Sequence, residues 1–168
     1  MIAFVWAEDS QRNIGYQGDL PWYLPNDMKR FKELTTNNTI VMGRRTYESF
    51  PNGPLPNRQN IVISRNKNYQ VKSPAILIND KGALFEYVSK QANIMIIGGK
   101  TIFQLFKDDV DTLYVTKIHH EFSGDTKMID LDYRKFKLTE KKEGTMDEKN
   151  PYPYTFETYH RLSNVEVN

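Results

Sequence analysis

Thr39-Ile-Val-Met-Gly-Arg-Arg-Thr-Tyr-Glu-Ser-Phe50 decides the fold class. Four apolar or β-branched residues run straight through Gly43 into a segment of helix-compatible residues. A short apolar run that turns through glycine into a helix is the unit of a parallel sheet buried on both faces. The same grammar recurs along the chain. Ile2–Glu8, Asn60–Ser64, Ala75–Ile78, Asn93–Ile97 and Thr112–His119 read as short buried strands. Between them, 26–35, 44–50, about 80–91 and 100–106 read as helices, with Asn26 and Asn79 as expected N-caps. After residue 119 the pattern changes. Residues 133–143 and 153–161 alternate with no helix between them and read as an antiparallel hairpin joined by the polar stretch Glu143–Asn150. The expected architecture is α/β: one domain over 1–162, with a mostly parallel eight-stranded sheet, an antiparallel C-terminal hairpin, about four flanking helices and a frayed tail over 163–168.

Bulk properties narrow the function. The 168 residues carry net charge +2, with 39% hydrophobic and 26% charged residues, as expected for one soluble domain. No cysteine is present, so thiol nucleophiles, disulfides and thiolate metal sites are excluded. Met1–Ala7 is apolar but lacks a basic lead and is too short to span a bilayer, so the expected location is cytoplasmic. Residues 28–72 hold nine Lys/Arg against Glu33 and Glu48, a local net of +7 that leaves the rest of the chain at −5. A local positive field on a near-neutral protein suits an anionic small molecule better than nucleic acid.

Three strand ends fall inside or near that field. Gly43-Arg44-Arg45-Thr46 and Gly98-Gly99-Lys100-Thr101 each enter a helix, and Ser64-Arg65 follows Ile61-Val-Ile63. Open α/β sheets bind ligands at the carboxyl ends of their strands. Helix N-termini, close-approach glycines and guanidiniums there suit phosphate. Together they suggest a dinucleotide with a further phosphate on Arg44, Ser64 and Arg65, which favours NADP over NAD. No G-x-G-x-x-G and no P-loop is present.

The other chemistry-bearing stretch is residues 13–31. Gly15, Gly18, Pro21 and Pro25 make a loop that enters a helix carrying Asp27 in its first turn among Trp22, Leu24, Met28 and Phe31. A carboxylate in an apolar pocket is a candidate for a raised pKa and for proton delivery, while the helix N-terminus pulls the other way. Arg58, in the stiff loop Pro54-Leu55-Pro56-Asn57-Arg58, can clamp a carboxylate beside the apolar Leu55. His119-His120-Glu121 lacks metal-ligand spacing, and no metal is expected.

The ordered set Ile14-Gly15, Leu20-Pro21-Trp22-x-Leu24-Pro25-x-Asp27, Phe31, Met42-Gly43-Arg44-x-Thr46-x-Glu48-Ser49, Pro54-Leu55-Pro56-x-Arg58, Ile97-Gly98-Gly99, Thr116 and Gly124-Asp125-Thr126 resembles the bacterial type of the dihydrofolate reductase family over about residues 1–161. The resemblance implies NADPH-dependent reduction of 7,8-dihydrofolate to tetrahydrofolate, by hydride transfer from nicotinamide C4 to pterin C6 and protonation of N5. It implies catalytic roles for Asp27, Trp22 and Thr116. Val5, Ala7, Met28, Phe31, Ser49, Phe50, Leu55, Arg58 and Ile97 would complete the substrate site. Ala7, Ile14, Gly15, Leu20, Gly43, Arg44, Arg45, Thr46, Ser64, Arg65, Gly98, Gly99, Lys100, Thr101, Ile102, Phe103 and Thr126 would hold NADPH. A cis Gly98–Gly99 peptide, a lid around Leu20 braced by Asp125, and a monomer are also implied. Leu20 and Phe103 stand where some members have methionine and tyrosine. Two alternatives stay open: the pyrimidine reductase of riboflavin synthesis, and a non-catalytic pterin- or nucleotide-binding protein.

Overall fold

Strand β1 (Ile2–Glu8) is buried along nearly its whole length because it lies in the middle of an eight-stranded sheet. The structure is a computed structural model that describes residues 1–163. In chain order, β1 is followed by β2 (Asn13–Gly15), α1 (Pro25–Thr35), β3 (Thr39–Gly43), α2 (Arg44–Glu48), β4 (Gln59–Ile63), β5 (Ile76–Ile78) and α3 (Lys81–Tyr87). Then come β6 (Ile94–Gly98), α4 (Lys100–Leu105), β7 (Thr112–Ile118), β8 (Thr126–Lys127), β9 (Phe136–Glu143) and β10 (Tyr154–Arg161). The sheet order is β5-β4-β3-β6-β1-β7-β10-β9. Six strands are parallel, and β10 and β9 add antiparallel at one edge, as the change of pattern after residue 119 leads one to expect. A separate two-stranded ribbon pairs β2 with β8.

The parallel strands are largely apolar because both faces are covered. On one face Phe4, Ile61, Ile96, Leu113 and Val115 meet Leu84 of α3 and Ile102 and Phe103 of α4. On the other, Ala3, Val5, Ile40, Met42 and Met95 meet Phe31 and Leu34 of α1 and Tyr47 of α2. Two register details serve the site. Ala7 pairs with Thr116 and Val5 with Tyr114, so these four side chains lie adjacent on one face. Between β3 and β6 the register slips, with Met42 opposite Gly98. That irregularity takes Ile97 out of the ladder and lets it reach the cleft.

Several local expectations are corrected. Leu24, not Asn26, caps α1, and Pro25 opens the helix. Asn26 is held instead by tertiary bonds, its backbone N–H to Asn150 Oδ1 at 2.8 Å and its Nδ2 to the Tyr154 hydroxyl at 2.7 Å. Asp80, not Asn79, caps α3 by accepting from the Ala83 N–H at 2.7 Å. That helix ends at Tyr87 because Val88 is extended. Residues 133–135 form a 3₁₀ turn rather than strand. The frayed-tail expectation falls, from residue 164 on, outside the described residues.

Candidate active site

A cleft of about 1960 Å³ opens at the carboxyl ends of the parallel strands. Every candidate site residue named above lines it except Trp22. Trp22 lies in the wall of a smaller adjoining cavity of about 740 Å³, which shares Asp19, Leu20, Asp27 and Met28 with the cleft. Asp27 thus lines both spaces.

Asp27 occupies the first turn of α1, where its N–H donates to the Leu24 carbonyl at 2.9 Å. Burial raises its pKa above the ordinary aspartate value, against the opposing pull of the Thr116 hydroxyl and the Arg30 guanidinium. Desolvation outweighs those two contacts. Arg30 is itself turned over the Phe156 ring, 4.5 Å from its centre. The Trp22 indole packs on Phe122 with ring centres 5.5 Å apart. Its Nε1 is the one buried side-chain nitrogen or oxygen without a hydrogen-bond partner among the described residues. A buried N–H of this kind is aimed at something other than the protein's own acceptors.

Arg58 is fixed from two sides. Its Nε donates to the Pro56 carbonyl at 2.9 Å and its Nη1 to Thr35 Oγ1 at 3.1 Å. Thr35 is fully buried, so this anchor is rigid. Partial burial also lowers the Arg58 pKa.

The three strand ends read from the sequence as candidate anion sites converge on one cleft wall. Gly43 caps α2 and Gly99 caps α4, neither with a side-chain hydrogen bond, and Arg44, Arg45, Thr46, Ser64, Arg65, Lys100 and Thr101 share the cleft wall. A Cβ on Gly43 would lie 3.0 Å from Ile102 Cγ1. Gly98 has φ +122°, a conformation that side-chain-bearing residues rarely adopt, and its peptide to Gly99 is cis. Gly43 is closed to a side chain by Ile102 and Gly98 takes a conformation suited to glycine, while the guanidinium, ammonium and hydroxyl groups on the same wall form a donor set that suits phosphate.

The stretch expected to form a lid is a turn, Tyr16 to Asp19, followed by Leu20, half of whose surface is open. Asp125 Oδ2 accepts the Gln17 N–H at 2.8 Å, and the Asp125 N–H donates to the Gly15 carbonyl at 2.9 Å. Asp125 thus ties its own segment to Gly15 and Gln17.

Sequence reasoning missed several residues on the cleft wall. Tyr114 lies two residues before Thr116 on β7, and strand alternation signals it. Asn79, Asp80 and Lys81 follow β5, and the strand-end rule applied to that fourth strand finds them. Trp6 carries no such signal, because its neighbours Val5 and Ala7 point to the opposite face.

The family model for dihydrofolate reductase matches residues 1–161. The chain belongs to the dihydrofolate reductase family. It is 41% identical over 167 residues to dihydrofolate reductase of Bacillus subtilis (strain 168), across 99% of this chain and 98% of the relative. It is 36% identical over 166 residues to that of Enterococcus faecium, across 98% and 99%. Among solved structures, dihydrofolate reductase from Enterococcus faecalis complexed with NADP(H) and RAB-propyl superposes with a TM-score of 0.91, at 40% identity and 97% coverage of each chain. Membership makes this chain an oxidoreductase with NADPH as its cofactor, and the pyrimidine-reductase and binding-protein alternatives give way. Among the described residues, no helix is long and apolar enough to cross a membrane.

Proposed function

We propose that the cleft reduces 7,8-dihydrofolate to 5,6,7,8-tetrahydrofolate with Asp27 as the residue that promotes protonation of pterin N5. The observation that carries this is a single carboxyl whose pKa burial raises, placed where the Ala7–Thr116 pair floors the cleft. NADPH, when bound, supplies a hydride from nicotinamide C4 to pterin C6. Asp27 takes the 2-amino group and N3 of the pterin, and the Thr116 hydroxyl keeps the carboxyl oriented. The free indole N–H of Trp22 serves the same corner. Val5, Ala7, Met28, Phe31, Ser49, Phe50, Leu55 and Ile97 enclose the pterin and benzoyl rings, and Arg58 clamps the glutamate carboxylate.

The cofactor is assigned to the opposite half. Gly43, Arg44, Arg45, Thr46, Gly98, Gly99, Lys100, Thr101, Ile102 and Phe103 receive the pyrophosphate and flanking riboses. Arg44, Ser64 and Arg65 take the further phosphate. Ile14, Gly15, Leu20 and Thr126 close over the nicotinamide end, excluding bulk water so that the proton reaches only the intended nitrogen. The reading includes a cytoplasmic monomer with a single domain over residues 1–162 and no nucleic-acid, membrane or metal partner. The local rather than global positive charge supports the first of those exclusions.

The test is loss of nicotinamide absorbance with purified protein, NADPH or NADH, and dihydrofolate. Oxidation that requires dihydrofolate and prefers NADPH is expected. Asp27→Asn should lose at least about a hundredfold in turnover at neutral pH and regain relative activity in acid, where substrate arrives protonated. A flat pH response in that variant would remove Asp27 from proton delivery.

A further inference from the structure

Arg44, Glu48 and Tyr69 form one unit at the rim of the cleft. Arg44 Nε donates to Glu48 Oε1 at 2.8 Å, and the Tyr69 hydroxyl donates to the same oxygen at 3.0 Å. The guanidinium carbon of Arg44 stands 4.9 Å from the centre of the Tyr69 ring. Arg44 and Glu48 line the cleft, whereas Tyr69 lies behind them and does not. Its loop is tied to the same helix from below, since the Lys72 N–H donates to the Tyr47 hydroxyl at 2.9 Å.

The geometry consumes one edge of the guanidinium and covers one of its faces. The Glu48 contact uses Nε and leaves Nη1 and Nη2 outside it. Those two nitrogens are the pair that reads a phosphate bidentately. Arg44 and Glu48 are each about half exposed, at 54% and 47% of their side-chain surface. An ion pair so exposed adds little to folding stability. Its effect is instead to order a flexible side chain before a ligand arrives, which raises affinity by removing an ordering cost from binding. Charge states support the arrangement. The Arg44 and Tyr69 contacts lower the Glu48 pKa, and burial first and then the Glu48 contact raise that of Tyr69, so Glu48 is the acceptor and Tyr69 keeps its proton.

We propose that Glu48 and Tyr69 are positioning residues that hold Arg44 in register for the extra phosphate of NADPH, so that discrimination against NADH depends on two side chains that do not touch the cofactor phosphate. The inference rests on the assignment of Arg44 to that phosphate. Glu48 makes the claim sharp, because a carboxylate near a phosphate repels it. If its charge dominated, removing it would favour NADPH; if its orienting role dominates, removing it disfavours NADPH.

The experiment is steady-state kinetics at saturating dihydrofolate, comparing kcat/KM for NADPH with kcat/KM for NADH in Arg44→Ala, Glu48→Ala, Tyr69→Leu and Tyr69→Phe. Arg44→Ala should lower the NADPH-to-NADH ratio by about ten- to a hundredfold, the scale of a lost charge-assisted contact. Glu48→Ala and Tyr69→Leu should each lower it by about three- to tenfold, through the KM for NADPH with little change in kcat. Tyr69→Phe keeps the ring and should stay within about twofold of the parent. An unchanged ratio in both Glu48→Ala and Tyr69→Leu, with Arg44→Ala impaired, overturns the inference. So does a raised ratio in Glu48→Ala, or equal losses with both cofactors, which would mean a damaged loop. An unchanged ratio in Arg44→Ala overturns the phosphate assignment instead.

Discussion

Asp125 Oδ2 holds the backbone N–H of Gln17 at 2.8 Å, joining the lid to a segment 108 residues away in sequence. This bond and the adjoining one to Gly15 tie the Tyr16 to Asp19 turn, the expected lid, to that segment. Asp125→Ala should lower kcat/KM for NADPH by about three- to tenfold, with little change in thermal midpoint, because lids act through populations of closed states. The pH dependence has a definite sign. Donors from Gln17 and Thr126 lower the Asp125 pKa, so the hold is complete above the ordinary aspartate value and is lost only as pH falls below it. Stopped-flow cofactor binding between pH 3 and 8 checks this.

Asp27 should trade stability for activity. Its folded pKa is raised, so the folded state binds more protons than the unfolded chain between the ordinary aspartate value and the raised one. Stability contributed by this group therefore falls as pH rises through that window and stays lower above it. Asp27→Asn should raise the thermal midpoint at pH 7 by about 2–4 °C, a gain of roughly 1 kcal/mol, and the gain should vanish toward pH 3. Calorimetry of both proteins across that range is the measurement.

Arg58 should discriminate between the two halves of the cleft. Arg58→Ala should raise KM for dihydrofolate by about ten- to a hundredfold while leaving KM for NADPH near the parent value. Thr35→Ala removes the anchor at Nη1 and should raise the dihydrofolate KM more modestly, by about threefold. Equal effects on both KM values would point to loosening of α1 instead.

Gly144 allows Tyr154 to reach α1. A Cβ at residue 144 would lie 1.9 Å from Tyr154 Cε2, and that tyrosine is buried. Its hydroxyl receives Asn26 Nδ2 at 2.7 Å, one residue from Asp27. Gly144→Ala should cost about 1–3 kcal/mol by overpacking and also raise KM for dihydrofolate, since the first turn of α1 loses its support. Urea unfolding monitored beside kinetics tests both effects.

Residue types and spacing revealed much of this. Apolar runs punctuated by glycine identified the parallel strands and their helices, because burial on both faces leaves its mark within each short segment. They also assembled the site's chemistry, since Asp27, Arg58 and the Gly43 and Gly98 strand ends are each recognisable from immediate neighbours. Other features have no local signature. Asn26 looks like a cap, yet Leu24 takes that position because Asn150 and Tyr154, more than 120 residues on, offer Asn26 better partners. The place of β1 between β6 and β7, the slip that frees Ile97, the direction of the Asp27 pKa and the stacking of Arg44 on Tyr69 belong to the same group. A segment's own residues set its preferred backbone and which side chains seek burial. Which partners it meets, and how much water each charge loses, are set by contacts among residues far apart in the chain, and those exist only once the whole sheet has closed.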